Sequence, residues 1–295
     1  MAAKPSTAPL IVIVGETASG KSALAMKLAE KFNGEIIAAD SWTVYKGFDI
    51  GTAKPSAADC QLIPHHLLDI RDPREGFSAA LYKKLAAETI DDITKRGKLP
   101  IMVGGTGLYV DSVLFNYGFL PPGDPEQRKK LNKLSLAELL KVAEDADLDT
   151  SSIDTRNKRR VIRLIENNGA QPTRQTIRPN TLVLSLQLPR DQLKEKITNR
   201  VNGMFAKGLE QEVKKLSELY GWQVEPMKGI GYCEFRSYFD DQQDLDETKR
   251  QIIKSTIDLA KRQRTWLKRN KSIHWVKEQS EAVELTTTFL NKQAI

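Results

Sequence analysis

The sequence predicts an α/β fold, in which a parallel sheet is flanked by helices and interrupted by a helical insertion. Short apolar runs alternate with helical patterns along the first third of the chain, which is typical of strands joined by crossover helices. A charged stretch without strand patterns separates these runs from a later apolar run. These observations predict a first core segment over 1–123, an insertion over 124–180, and a resumed core with C-terminal helices over 181–295.

The elements of the first core segment follow from hydrophobic patterning. The apolar, β-branched run Leu10–Val14 predicts a buried strand, and the helical spacing of leucines in Ser22–Phe32 predicts the helix after it. A second strand is expected over Glu35–Asp40, a helix over Ser78–Lys95 and a third strand over Leu99–Val103. This alternation of strand and helix indicates a parallel sheet.

The character of the chain changes at the proline-rich segment 121–125. From there to about Pro179 the chain is charged and helical in pattern, and Thr181–Leu188 returns to a strand pattern. Two long helical patterns, Gln192–Leu219 and Asp246–Arg269, are expected to close the core.

Composition indicates an ordinary soluble globular protein, because 40% of its 295 residues are hydrophobic and 28% are charged. The apolar run Leu10–Val14 is too short for a signal peptide or a membrane span, so we expect a cytoplasmic protein without membrane contact. Cys60 and Cys233 lie in no C-x-x-C pattern and the chain has three histidines, so we expect neither disulfides nor a zinc site. Nothing in the sequence requires more than a monomer.

The loop between the first strand and the first helix carries the clearest chemical signal. Residues 15–22 read GETASGKS, which fits the P-loop pattern G-x-x-x-x-G-K-[ST]. In such a loop, backbone N–H groups and the N-terminus of the following helix bind phosphate oxygens. Lys21 would neutralise phosphate charge, and the Ser22 hydroxyl would coordinate Mg²⁺. The sequence therefore predicts a P-loop NTPase-like core whose ligand carries a diphosphate or a triphosphate, with ATP as one candidate.

The P-loop alone leaves the reaction open, because kinases, ATPases, GTPases and other transferases share it. A motor-type NTPase would add an apolar strand ending in a Mg²⁺-binding acid, and Leu67–Asp69 is a short candidate without a second carboxylate beside it. Asp40 is expected at the sheet edge near the P-loop, where its carboxylate could act as a general base. Since Ser41 follows it, Asp40 could equally cap a turn.

Two basic clusters raise the question of a nucleic-acid partner. Five basic residues crowd into 156–163 and six lie within 254–269, in a chain of net charge +7 and pI near 9.2. Such clusters are either solvated helix faces or footprints for phosphate backbones, and composition leaves both open.

Motifs along most of the chain resemble those of one family, the tRNA dimethylallyltransferases (isopentenyl-tRNA transferases). Residues 40–55 read DSWTVYKGFDIGTAKP and are similar to the family's D-S-x-Q-x-Y-K-G-x-D-I-G-T-A-K-P, with Thr43 where many members have glutamine. The P-loop resembles the family's G-P-T-A-S-G-K-[ST]. The segments 64–69, 103–109, 229–232 and 260–267 also match in order and approximate spacing.

The resemblance implies a reaction and its partners. The family moves a dimethylallyl group from its diphosphate to the exocyclic amine of an adenosine beside the anticodon of tRNA. It thus implies dimethylallyl diphosphate, tRNA and Mg²⁺ as ligands, with Asp40 taking the proton of the attacking amine. Lys21 and Thr106 would be the other catalytic residues. The target adenosine would have to be turned out into a pocket before attack.

The remaining implied roles divide by ligand. The diphosphate would be bound by the P-loop and one arginine: Gly15, Glu16, Thr17, Ala18, Ser19, Gly20, Lys21, Ser22 and Arg200. The metal ligand would be Ser22. The tRNA would be contacted by Asp40, Ser41, Trp42, Thr43, Thr106, Arg128, Arg159, Arg160, Val161, Ile162, Arg163, Lys228, Gly229, Ile230, Gly231, Tyr232 and Cys233. Among these, Tyr232 is expected to stack on a base.

Three other functions stay open at this point. A transferase of the same fold could give the same group to free AMP, ADP or ATP, although the basic surface and the strip 228–233 argue against it. A small-molecule kinase would use ATP in the P-loop. An RNA-binding relative could have lost catalysis altogether.

Overall fold

The computed structural model describes residues 8–292, which form two compact units. The core unit takes in the described parts of 1–114 and 177–295, and the insertion unit is Phe115–Thr176. The insertion thus differs in its bounds from the 124–180 that the sequence predicts. Its entering and leaving segments pair with each other, because Gly118 N–H donates to the Thr173 carbonyl at 3.0 Å. This pairing assigns 115–123 to the insertion.

A parallel sheet of six strands organises the described part of the core unit. The strands are β1 (Leu10–Val14), β2 (Gly34–Ala39), β3 (His65–His66), β4 (Leu99–Gly104), β5 (Thr181–Leu186) and β6 (Ile273–Val276). Their order across the sheet is β3-β2-β4-β1-β5-β6, with every pair parallel. The predicted parallel α/β fold is confirmed.

Helices cover the sheet and build the insertion. In chain order they are α1 (Lys21–Lys31), α2 (Ala57–Leu62), α3 (Ala79–Lys95), α4 (Gly107–Leu114), α5 (Pro125–Lys133), α6 (Leu136–Asp145), α7 (Lys158–Glu166), α8 (Arg190–Ala206), α9 (Leu209–Tyr220), α10 (Phe235–Phe239), α11 (Leu245–Leu267) and α12 (Gln279–Asn291). Alternate strand residues such as Ile11 and Ile13 pack against α1 and α12 in one buried cluster. Helix α3 joins β3 to β4 and contacts β2 and β4. Because crossovers between parallel strands are right-handed, it lies on the face of the sheet opposite α1.

A second buried cluster lies among α8, α9, α10 and α11. It encloses Val44, Tyr45 and Phe48 of the segment that follows β2, so this segment is fixed from behind by the C-terminal helices. The pattern Gln192–Leu219 is not one helix: α8 ends at Ala206 and α9 begins at Leu209. The break falls at Gly208, whose φ of 93° is left-handed and cannot continue a helix.

The insertion unit has a small core of its own. Helices α5, α6 and α7 bury Leu131, Leu139, Ala143, Val161, Ile162 and Ile165 against one another. Asp124, Ser135 and Asn157 cap the three helices by accepting N–H bonds from their first turns. The predicted helical character of this segment follows from these caps and the apolar stripe between them.

Candidate functional site at the carboxyl ends of three strands

Three neighbouring strands end side by side and carry the loops of the site. Val14 of β1 and Ala39 of β2 both pair in register with Gly104 of β4, the strand between them. The P-loop, Asp40 and the turn at Thr106 therefore start from one edge of the sheet. In parallel sheets this carboxyl edge is where ligands bind.

The P-loop has the backbone geometry that phosphate binding needs. Ala18 and Gly20 have φ of 61° and 94°, and Ser19 N–H donates to the Glu16 carbonyl at 3.2 Å. Helix α1 follows at once, and in the described structure no side chain caps its N-terminus. The N–H groups of its first turn are therefore available to an anion. At Gly15 a Cβ atom would lie 2.7 Å from Ser19 Oγ, so a side chain there would displace the Ser19 hydroxyl.

Lys21 is held inside the loop. Its ammonium donates to the Glu16 carbonyl at 3.2 Å. Burial, and next the positive charge of Arg200, lower the pKa of Lys21 to about 8, while Asp40 and Glu16 oppose the shift. Burial likewise lowers the pKa of the Arg200 guanidinium, which Asp40 partly offsets. Two cations thus lie near one carboxylate in a confined space, a charge excess that a bound diphosphate would balance.

The Asp40 carboxylate both caps a turn and lines the site. One of its carboxylate oxygens accepts the Trp42 N–H at 2.8 Å, which is the turn-capping role that the sequence left open. The Thr106 hydroxyl accepts the Ser41 N–H at 3.1 Å, and Thr106 N–H donates to the Ala39 carbonyl at 3.3 Å. Thr106 therefore fixes the backbone on both sides of Asp40.

Two cavities meet at this carboxylate. The larger, of about 420 Å³, has apolar walls that include Met26, Ile36, Ala38, Leu68, Val103 and Leu259. Its polar lining residues are Thr17, Lys21, Ser22, Asp40, Thr43, Thr52, Lys54, Asp59, His65, Arg200 and Gln263. The smaller, of about 310 Å³, is lined by Trp42, Arg262 and the strip 228–232. Thr17, Thr52, Arg200 and Leu259, together with Asp40, line both. This arrangement suits a carboxylate acting between two ligands.

The hydroxyl of Thr43 stands out among the lining groups. Thr43 is 7% exposed, and its Oγ1 has no hydrogen-bond partner in the described part of the chain. Buried hydroxyls are normally paired, so this atom is available to a polar group of a ligand in the larger cavity.

Helix α11 supports the site through residues to which the sequence analysis gave no role. Gln263 accepts the Thr17 N–H and donates to the Gly105 carbonyl, and Arg264 forms a two-pronged ion pair with Glu16 of the P-loop. Trp266 Nε1–H donates to Asp111 at 2.9 Å. The family-like segment 260–267 was a signal for these residues, although it did not show what they contact.

Glu212 on α9 is a second support that the sequence did not reveal. Its carboxylate accepts the N–H groups of Asp49, Ile50 and Gly51 at 2.8–3.2 Å and the Tyr232 hydroxyl at 2.8 Å. It thereby ties the segment after β2 to the strip 228–232.

The structure corrects the role expected for Tyr232. Its ring is 1% exposed and lies 4.9 Å, centroid to centroid, from Phe48, so no face is free for a base to stack on. Of the same strip, Lys228 is exposed and pairs with Glu225 at 2.9 Å, and Cys233 is exposed. Gly229 approaches Trp42, whose indole a Cβ atom at Gly229 would reach at 3.3 Å. Trp42, Gly229, Ile230 and Gly231 are among the residues that line the smaller cavity.

The residues of the insertion unit that were predicted to contact RNA differ in their exposure. Arg159 and Arg160 are exposed on α7, whereas Val161 and Ile162 are buried in the insertion core, so their side chains are closed to RNA. Arg128 and Arg163 both pair with the buried carboxylate of Glu166.

This ion-pair cluster has a clear electrostatic cause. Burial opposes ionisation of Glu166, yet the two guanidinium groups lower its pKa overall. Arg128 and Arg163 therefore compensate a buried carboxylate of the insertion, and removing either would leave that charge with one partner fewer.

The described residues contain no group of three or more His, Cys, Asp or Glu side chains that could hold a metal ion. They also contain no helix long and apolar enough to cross a membrane. Cys60 and Cys233 are free thiols.

Comparison with known proteins places this geometry in a family. A sequence model of the family described as "IPP transferase" matches residues 43–270. A tRNA dimethylallyltransferase of Anoxybacillus flavithermus is 40% identical over 277 residues, covering 90% of this chain and 89% of its own.

Solved structures agree. The tRNA isopentenylpyrophosphate transferase of Bacillus halodurans superimposes with a TM-score of 0.76 and 34% identity, covering 97% of this chain and 98% of its own. A eukaryotic dimethylallyltransferase acting on tRNA gives a TM-score of 0.82 with 26% identity, covering 97% of this chain and 80% of its own. The family model and the relatives both match most of the chain. The chain therefore belongs to the IPP transferase family.

Proposed function

We propose that the chain transfers a dimethylallyl group from dimethylallyl diphosphate to the N6 amine of an adenosine next to the anticodon of tRNA. The observation that carries this proposal is the position of Asp40, which lines two cavities of different chemistry at once. The names of its relatives, tRNA dimethylallyltransferase and tRNA isopentenylpyrophosphate transferase, support it.

The larger cavity suits the donor. Its P-loop N–H groups, Lys21 and Arg200 would bind the diphosphate, and the apolar side chains beside them, including Ala38 and Val103, would contact the five-carbon group. Because the diphosphate leaves with its negative charge, preorganised cations at that end stabilise the transition state more than the ground state.

The smaller cavity suits the acceptor. An adenosine turned out of the anticodon loop would enter between Trp42 and the glycine strip 229–231. Its N6 nitrogen forms a bond to the allylic carbon while the carbon–oxygen bond to the diphosphate breaks. One amine proton passes to Asp40, and the diphosphate departs with the electron pair.

Mg²⁺ fits this site on chemical grounds. Ser22 presents a hydroxyl oxygen to the larger cavity, and Mg²⁺ commonly takes one such ligand, water and the oxygens of a bound phosphate rather than a cage of side chains. When bound, the ion would neutralise charge on the leaving diphosphate. A single chain carries both cavities, so we propose a monomer, acting in the cytoplasm where its tRNA acceptor would be.

A transfer assay tests the proposal. The protein is incubated with Mg²⁺, labelled dimethylallyl diphosphate and unmodified tRNA, and label is followed in RNA and in free nucleotides. We expect labelled tRNA. Label only in AMP, ADP or ATP, or ATP turnover without prenyl transfer, would refute the proposal in favour of a nucleotide transferase or a kinase.

The role of Asp40 is tested by Asp40→Asn, with Asp258→Asn as the control. Asp258 is a partly exposed carboxylate on α11, paired with Lys261 at 2.8 Å. We expect Asp40→Asn to lower the transfer rate by about 100-fold or more, with tRNA affinity within about twofold of wild type. Asp258→Asn should transfer like wild type. Equal rates for Asp40→Asn and wild type would remove the general-base role.

A further inference from the structure

One side chain joins the two loops that would hold the two substrates. Gln263 of α11 lines the larger cavity, and its Oε1 accepts the N–H of Thr17 in the P-loop at 2.8 Å. Its Nε2–H donates to the carbonyl of Gly105 at 3.1 Å. Thr17 offers only a backbone donor and Gly105 only an acceptor here, so the orientation of the carboxamide is fixed by its partners.

The contact with the second loop is close. A Cβ atom at residue 105 would lie 2.4 Å from Gln263 Nε2, so a side chain there would displace the carboxamide. Gly105 precedes Thr106, whose hydroxyl accepts the Ser41 N–H beside Asp40. An unbroken series of contacts therefore runs from Thr17 through Gln263 to Asp40.

The neighbours of Gln263 anchor its helix on the P-loop and on α4, the helix that follows the turn at Thr106. Arg264 pairs with Glu16, which directly precedes Thr17. Trp266 donates to Asp111, and its indole lies so near Gly107 that a Cβ atom there would approach it to 2.7 Å. These contacts fix the position of α11 relative to the P-loop and α4. The carboxamide of Gln263 is therefore held between Thr17 and Gly105 by the position of its helix.

We propose that Gln263 is a positioning residue that sets the distance between the donor's diphosphate and the base Asp40. The inference rests on the transfer reaction proposed above. In that reaction the leaving group is bound by the P-loop and the attacking amine is deprotonated by Asp40, so their separation decides how often the reacting atoms align. A misplacement of about 1 Å can cost about 100-fold in rate. Each substrate is still bound by its own loop when the bridge is lost.

The first test replaces the bridge with an isosteric apolar chain. Gln263→Met keeps the length of the side chain and loses both hydrogen bonds. Gln251→Met is the matched control, since Gln251 lies on the same helix and, among the residues that the structure describes, its side chain bonds to Gln243 and Glu247 rather than to a loop of the site. We expect Gln263→Met to lower kcat by about 10- to 100-fold, with KM for dimethylallyl diphosphate and for tRNA within about threefold, and Gln251→Met to match wild type. An unchanged kcat, or an effect confined to KM, would overturn the inference.

The second test uses the polarity of the bridge. In Gln263→Glu, one carboxylate oxygen can still accept the Thr17 N–H. When the carboxyl is ionised, its other oxygen cannot donate to the Gly105 carbonyl, so that hydrogen bond is lost. A protonated carboxyl restores the donor. The ratio of variant to wild-type kcat should therefore rise several-fold as the pH falls from 8 to 5.5. A ratio that stays constant with pH would show that the donor to Gly105 does not matter.

A third measurement needs no activity. Amide hydrogen exchange is followed by mass spectrometry in peptides covering 15–20 and 104–107 of wild type, Gln263→Met and Gln251→Met. We expect both loops to exchange at least tenfold faster in Gln263→Met alone. Unchanged exchange in both loops would overturn the bridge even if the transfer reaction itself were absent, and loss of transfer by wild type would count against the proposed function only.

Discussion

Binding of dimethylallyl diphosphate should weaken as the pH rises through 8. Lys21 is the reason, because burial and the neighbouring Arg200 lower the pKa of its ammonium to about 8. A lysine of ordinary pKa would stay charged up to about pH 10. Above pH 8, the donor must therefore either bind to a protein in which Lys21 is neutral, or its binding must be coupled to uptake of a proton by Lys21.

The size of the effect follows from that pKa. With a pKa of 8, Lys21 carries its proton in about nine-tenths of molecules at pH 7 and in about one-tenth at pH 9. If the bound diphosphate keeps Lys21 charged, affinity falls by up to about tenfold between these pH values, and binding at pH 9 takes up about one proton.

Isothermal titration calorimetry measures both quantities. Dimethylallyl diphosphate is titrated into the protein without RNA, at constant Mg²⁺ and ionic strength, in two buffers of different ionisation enthalpy. The last ionisation of a phosphate ester lies near pH 6, so the donor itself does not titrate in this range. Lys21→Met should bind weakly at every pH with no proton uptake, and Arg200→Met should shift the midpoint to higher pH. A wild-type affinity that is constant from pH 7 to 9 without proton uptake would refute the reasoning.

Three further predictions concern the supports of the site and the RNA surface. Hydrogen bonds from Arg96, opposed by burial and aided by His66, lower the pKa of Glu35 to about 2. Such a carboxylate contributes its full stabilisation above its unfolded pKa and loses it as the pH falls through its folded pKa. Glu35→Gln should therefore cost about 2 kcal/mol in urea unfolding at pH 7, discounted for the partly exposed Arg96, and progressively less as the pH falls from about 4.5 toward 2; a constant difference would refute this. Glu212→Ala leaves three backbone N–H groups and the Tyr232 hydroxyl unpaired and should cost about 3 kcal/mol by the same measurement, with Glu212→Gln milder. Neutralising Arg159 and Arg160 together should weaken tRNA binding and reduce its salt slope by about 1–2, whereas an unchanged slope would mark both as solvated surface.

The parts of the site that the sequence predicts are those with local patterns. The P-loop, the strand before it and Asp40 at the end of β2 each follow from a few neighbouring residues. Strand β3 has two residues, and β6 has two exposed residues between its buried ends, so neither has the apolar run that indicates a strand. The break between α8 and α9 is invisible to periodicity, since the apolar spacing continues across Gly208.

The contacts of Gln263 and Glu212 could not be predicted from the sequence for a different reason. Gln263 and Thr17 are 246 residues apart, and Glu212 and Ile50 are 162 apart. Each contact depends on how whole helices dock on the sheet, which residue types do not reveal. The burial of Tyr232 is of the same kind: its hydroxyl is bound by Glu212, whereas the sequence shows only an aromatic residue between a glycine and a cysteine.

The carboxylate of Glu212 also affects which anions the protein can hold. Three consecutive N–H groups, those of Asp49, Ile50 and Gly51, converge as they do in backbone nests that capture phosphate. An internal anion already fills this nest, so phosphates of a long RNA or a misdirected donor find it occupied. The N-terminus of α1 in the P-loop has no such side-chain partner in the described structure, so a diphosphate can bind there without displacing a carboxylate.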